Sequence, residues 1–193
     1  EELPRVLSTP RQYAYLRIAE GCSNRCAYCV IPSLRGNYRS RRMEDILQEA
    51  QALADDGVQE CIVIAQDITR YGMDLYGERK LPELLRALCR LPFHWIRLHY
   101  LYPDEFTDEL IDTIAAEEKV LPYLDIPIQH CNDKVLRAMN RRGDKAELLA
   151  LFRELRARIP GLVLRTSLIT GLPFEDEAAF EELCEFLQEV RIE

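Results

Sequence analysis

Two rhythms of apolar residues alternate along this chain. From Tyr13 to Ala19 the pattern has period two and is rich in aromatic and β-branched types, which predicts a strand. From Met43 to Asp56, Ile46, Ala50, Leu53 and Ala54 fall at helical spacing, and Gly57 marks the end. Cys61 to Ala65 is a short continuous apolar run, as in a strand covered on both faces. Leu81, Leu84, Leu85, Leu88 and Leu91 return to the helical period. A third strand, Trp95 to Leu101, sets Ile96, Leu98 and Tyr100 against Arg97 and His99. Thr107 then reads as a helix cap, with Asp108 and Glu109 in the first turn and Leu110, Ile111 and Ile114 inward. Tyr123 to Ile126 is a fourth strand, stopped by Pro127. Helical stretches over 133–142 and 145–159 are broken at Gly143. A fifth strand runs from Leu162 to Ile169 and ends at Thr170-Gly171. A last helix, 176–190, is expected to bury Phe180, Leu183, Leu187 and Val190 beneath an acidic outer face.

Strand followed by helix, five times over, predicts a parallel sheet with right-handed crossovers. The fold class is therefore α/β: a partial, open β/α barrel with five complete β/α units. Arg191-Ile192 reads as the start of a truncated sixth strand. In such barrels the active site lies at the C-terminal ends of the strands. Residues 1–11, with Pro4 and Pro10 among polar neighbours, read as a linker end, and 12–193 as one core domain. The chain opens on Glu1-Glu2 without an initiator Met, and is expected to be a piece of a longer protein.

The 193 residues carry a net charge of −8, which argues against direct nucleic-acid binding and suits a basic protein partner. The local exception is Arg35 to Arg42, either a solvated loop and helix start or a grip on an acidic group. No apolar run approaches the roughly 20 residues of a membrane span, and no signal peptide is visible, so a cytoplasmic location is expected. The seven cysteines are an odd number, three of them clustered, which does not suit a secreted disulfide framework. Cys61, Cys89 and Cys184 lie in apolar patterns and read as core residues.

The clustered three, Cys22, Cys26 and Cys29, follow the first strand with spacing C-x3-C-x2-C, Gly21 before the first and Pro32 after the last. Their side chains can converge only if the backbone wraps around something. Thiolates bind soft metals and hold Fe–S clusters, and closed sites take four ligands. Three local thiols leave one position open for a small molecule. The alternative is a zinc-stabilised interaction module, its site completed by Cys61, Cys131 or His130.

This spacing, with Tyr28 before the third Cys, resembles the signature of the radical S-adenosylmethionine (SAM) enzymes. That resemblance implies that the three cysteines hold a [4Fe–4S] cluster whose fourth iron chelates SAM. Further blocks resemble the methylthiotransferase branch: Glu20 to Arg41, Ala65 to Gly72, Arg97 to Pro103 and Leu124 to His130. The last two are similar to the members that methylthiolate the β-carbon of an aspartate in ribosomal protein uS12, rather than to those that modify a tRNA adenosine. The similarity runs from about Tyr13 to Val190, with one departure. Where the family has Gly-Phe-Pro-Gly-Glu, this chain reads Gly171-Leu172-Pro173-Phe174-Glu175.

The resemblance implies a transferase with uS12 or the small ribosomal subunit as partner. An electron donor such as flavodoxin or ferredoxin is expected, as are a second [4Fe–4S] cluster in an N-terminal domain and a C-terminal TRAM domain. Under it, Gln66, Asp67, Gln129, Arg165 and Gly171 become candidate SAM-binding residues at strand ends. Each also has a structural reading: a capped loop for Gln66 and Asp67, an interior hydrogen-bond layer for Asp125, Gln129 and His130. Arg165, expected to be a buried cation within a strand, needs a carboxylate from SAM, from substrate or from the protein itself.

Overall fold

The computed structural model describes residues 6–192. Of the expected linker end, residues 1–5 lie outside the described residues, and 6–11 run as turn and coil. Strand β1 (Tyr13–Arg17) is followed by a two-residue strand, β2 (Ala19–Glu20), and then by the cysteine loop. One helical turn, α1 (Ile31–Arg35), carries Pro32 at its start, where a missing N–H costs nothing. Strand β3 (Arg39–Ser40) returns antiparallel to β2. The chain then alternates: α2 (Met43–Asp55), β4 (Glu60–Ile64), α3 (Leu81–Cys89), β5 (Trp95–His99), α4 (Asp108–Ala116), β6 (Val120–Asp125), α5 (Asp133–Ala138), α6 (Lys145–Arg158), β7 (Val163–Arg165) and α7 (Glu177–Val190).

The main sheet is parallel throughout, in the order β1-β4-β5-β6-β7. β1 and β7 are its edges, so the barrel is open, and no sixth strand follows α7 among the described residues. Alternation gives the sheet two different faces. Ala14, Leu16, Cys61, Val63, Ile96, Leu98, Leu124 and Leu164 point to the helices and form the core with Ile46, Leu84, Leu88 and Phe152. In-register pairing puts Arg17, Ile64 and His99 in one row of the other face, and Asp125 opposite Arg165. That concave face is polar and aromatic: Arg97 sits 4.9 Å from the centre of the Tyr123 ring, and the His99 and Tyr123 rings stack at 6.1 Å.

Four expectations change. β7 spans three residues, not eight, because Thr166 spends its hydroxyl on the backbone that follows β6. It donates to Ile126 O (2.8 Å) and accepts from Ile128 N–H (3.2 Å), displacing the backbone ladder. α5 stops at Ala138 because Asn140 turns left-handed, at φ 55°. Phe180 is 46% exposed; the inward stripe of α7 is Ala179, Leu183, Phe186 and Val190, with Phe186 against Phe152 at 6.1 Å. Cys184, one helical step from Leu183, is exposed rather than core.

Candidate functional site

The cysteine loop leaves the C-terminal edge of β1 and is pinned from two sides. At its start Gly21 is left-handed, at φ +79°, and a Cβ there would come closer than 3.0 Å to the carbonyl oxygens of Gly36 and Asn37. Cys22 N–H then donates to Gly36 O (3.1 Å). On the other side Ala27 N–H donates to Met139 O (2.9 Å) and Asn140 Nδ2 to Arg25 O (2.7 Å), fastening the loop to the end of α5. Between these anchors Cys29 N–H turns back onto Cys26 O (3.0 Å). The three thiols, half-buried and free of disulfides, line one cavity of about 330 Å³. Burial pushes the Cys22 thiol upward in pKa, with nearby Asp67 adding to it.

This donor set fits an iron–sulfur cluster better than a single ion. Among the described residues no three His, Cys, Asp or Glu side chains converge as the ligands of one ion do. The candidate fourth zinc ligands are committed elsewhere. Cys61 and Cys131 are buried in the apolar core. Both His130 nitrogens are taken: Nδ1 accepts from Asn132 N–H (3.0 Å), and Nε2 faces Glu175 Oε1 (3.2 Å).

The other expected site residues sit on loops at the same edge of the sheet. Gln66 is exposed, just past β4. Asp67 is 1% exposed and caps the turn Ile68–Arg70: its Oδ1 accepts from Thr69 N–H (3.1 Å) and from the Thr69 hydroxyl. Its Oδ2 has no hydrogen-bond partner among the described residues, and burial pushes its pKa up to about 6. Gln129 is left-handed at φ 70° and bridges through its backbone to the loop after β7. Its N–H donates to Ser167 O (2.9 Å), and its carbonyl accepts from Ile169 N–H (2.8 Å). Gly171 is exposed and donates its N–H to Glu175 Oε2, so Glu175 organises the turn in which Phe174 departs from the family pattern.

Arg165 lies on the concave face as the alternation requires, but its environment corrects the expectation of a buried cation. Its side chain is 47% exposed, and the buried member of its ion pair is Asp125, at 1%. The basic stretch is largely engaged within the chain. Arg35 pairs with Glu20, Arg41 with Glu49 and Arg42 with Glu44.

Sequence reasoning missed Arg141 and Tyr102. Tyr102 OH lies 3.4 Å from Cys26 Sγ, and Arg141 donates to Tyr28 OH (3.2 Å) and Pro127 O (2.8 Å). These contacts link positions far apart in the chain. The only local hint was a pair of arginines next to a helix-ending Asn.

The family model described as the radical SAM superfamily matches residues 16–187. The ribosomal protein uS12 methylthiotransferase RimO of Heliobacterium modesticaldum is 53% identical over 192 residues, covering 99% of this chain and 42% of its own length. The protein of the same name from Pelotomaculum thermopropionicum is 54% identical over 191 residues, 98% of this chain and 43% of its own. The chain thus spans less than half the length of these curated relatives. Among solved structures, the radical S-adenosylmethionine methyltransferase TsrM from Kitasatospora setae, with tryptophan and a SAM analogue bound, superposes with a TM-score of 0.77. That match covers 98% of this chain and 38% of the other at 19% identity, a likeness of fold.

Proposed function

This chain belongs to the radical SAM superfamily, and from that premise we propose that it is the catalytic core of a methylthiotransferase acting on the β-carbon of an aspartate in ribosomal protein uS12. The observation that carries the chemistry is the gathering of Cys22, Cys26 and Cys29 on one cavity at the C-terminal edge of the sheet. The relatives of about half-identical sequence support the choice of substrate over a tRNA adenosine.

In this reading the three cysteines hold a [4Fe–4S] cluster. When bound, it would supply the electron for reductive cleavage of SAM, the source of the radical chemistry at the substrate carbon. The chain's own residues position and shield. Tyr28 and Cys26 are held together by Arg141 and Tyr102. Gln66, Asp67, Gln129 and Gly171 offer polar groups around the same edge for SAM. The half-exposed guanidinium of Arg165 offers a carboxylate contact from the concave face. Holding groups in reacting geometry and keeping water from a reactive intermediate are the protein's share of such catalysis. Residues 12–193 would form the core domain of a longer cytoplasmic enzyme. A second cluster in another domain and a flavodoxin- or ferredoxin-type donor would complete it. Among the described residues no helix is long and apolar enough to cross a membrane.

The test is anaerobic reconstitution of the full-length protein, followed by incubation with SAM, a reductant and either uS12 or tRNA. A methylthio mass on the uS12 aspartate, lost in Cys26→Ala, is the expected result. Methylthiolated tRNA with unmodified uS12 would move the enzyme to the tRNA branch. Stoichiometric zinc without iron uptake would overturn the reading.

A further inference from the structure

We infer that Arg141 is the fixed countercharge of the cysteine site and, together with Tyr102, a positioning residue for Cys26 that raises the reduction potential of the cluster held there. The inference rests on the cluster reading proposed above and adds to it the group that tunes the cluster.

Arg141 is 7% exposed. A cation so buried is costly without an anion beside it. Among the described residues no acid forms an ion pair with Arg141. The nearby acids are taken, since Arg142 binds both Asp104 and Glu105 at 2.7 Å. The guanidinium instead reaches Pro127 O (2.8 Å) and Tyr28 OH (3.2 Å), and Nη1 lies 4.0 Å from Cys26 Sγ. Its plane covers the Tyr102 ring at 4.3 Å, and the Tyr102 hydroxyl is 3.4 Å from the same sulfur. The backbone leaves Arg141 little freedom, because its N–H donates to Leu136 O (2.9 Å) just after the left-handed Asn140. Every anchor of this side chain therefore directs a positive charge and a hydroxyl toward one thiol.

Metal binding converts that thiol to a thiolate, which supplies the missing anion. Reduction by an external one-electron donor adds one more negative charge to the cluster, and no bond is made or broken at Arg141. A nearby fixed cation and a hydrogen bond to sulfur both favour the more negative state, which raises the potential. Tyr102 contributes the hydrogen bond, and Arg141 contributes the charge and holds the ring.

The experiment is an EPR-monitored redox titration of the full-length protein after anaerobic reconstitution, following the signal that disappears in Cys26→Ala. Arg141→Met should bind iron as wild type does, but its reduced-to-oxidised ratio at a set potential should fall at least tenfold, about 59 mV for one electron. Arg141→Lys should recover part of that loss, and Tyr102→Phe should shift the same way by less. An iron-loaded Arg141→Met at the wild-type potential overturns the inference. If Arg141→Met takes up no iron, Tyr102→Phe decides: a negative shift supports the inference and an unchanged potential overturns it. Failure of the wild type to bind iron would instead overturn the cluster reading, and is seen before any variant is made.

Discussion

Arg165 Nη1 lies 2.6 Å from Asp125 Oδ2 across the β6–β7 register, and the other oxygen of that carboxylate is buried and has no hydrogen-bond partner among the described residues. The pair is lopsided, with the acid at 1% exposure and the base at 47%. Removing the base strands a buried anion, whereas the guanidinium already meets water. Arg165→Leu should therefore lower stability by about 1–3 kcal/mol, less than for a fully buried pair. Adding Asp125→Asn to that variant should restore most of it. Denaturant melts of the two variants check this. An Arg165→Leu protein as stable as wild type, with SAM affinity lost, would give the residue to the ligand instead.

The contact between His130 and Glu175 fixes two loops at once. Because Asn132 N–H donates to His130 Nδ1, the proton of the neutral ring sits on Nε2 and points at Glu175 Oε1. Burial works against the charge on Glu175, but the Leu172 N–H, the His130 ring and the Gly171 N–H outweigh it and hold the carboxyl below its ordinary 4.5. The folded pKa is thus below the unfolded one. This stabilisation is present above about pH 4.5 and is lost as the pH falls through the lower folded value. Glu175→Gln should flatten that acid limb and cost about 1 kcal/mol at neutral pH. Thermal melts from pH 3 to 7 compare the two proteins, and parallel curves would refute the assignment.

The order of elements was legible because short strand-like runs, alternating or continuously apolar, give way in turn to apolar residues at a spacing near 3.6 from Tyr13 to Val190. The cysteine site was legible because its three ligands are local. The β2–β3 pair was not, since two-residue strands carry no period. Phe180 was misplaced because on a helix one residue is about 100° of rotation, enough to exchange Phe180 for Ala179 on the buried face. The support around the cysteines was invisible for another reason. Tyr102 meets Cys26 across 76 positions and Arg141 meets Tyr28 across 113, and no local pattern announces such contacts.

Asp67 is a carboxylate held where it is not stable. Burial lifts it from 3.8 to about 6 although Thr69 donates to it, and its Oδ2 has no hydrogen-bond partner among the described residues. Between about pH 4 and 6 the unfolded chain gives up this proton while the folded one keeps it. Stability therefore falls as the pH rises through that window, and the full penalty, at most about 3 kcal/mol, applies above it. Asp67→Asn keeps an oxygen for Thr69 N–H and removes the charge. In the iron-free protein it should be more stable than wild type at pH 8, with the advantage gone by about pH 4. A variant less stable at pH 8 would show that the charge has a partner in the fold.

Gly21 gives the sharpest test of how the loop is built. Gly21 and Gly57 both have positive φ, at +79° and +85°, so alanine strains the backbone at each by about 1 kcal/mol, whereas Gly36, at φ 76° and ψ −169°, lies where essentially only glycine is found and alanine strains it more. What the added methyl meets differs. At Gly57 nothing lies within 4 Å, and at Gly36 the nearest atom is Nη1 of the flexible Arg39, at 3.0 Å. At Gly21 it meets the carbonyls of Gly36 and Asn37, and Gly36 O is the acceptor that holds Cys22 N–H at 3.1 Å. Backbone cannot rotate away as a side chain can, so the turn carrying Cys22 must move. Gly57→Ala should lose only the conformational term and bind iron normally. Gly21→Ala should lose at least about 1 kcal/mol more and retain less iron after desalting. Equal iron content in Gly21→Ala and Gly57→Ala would mean that the loop tolerates the displacement and that Cys22 is not positioned through Gly21.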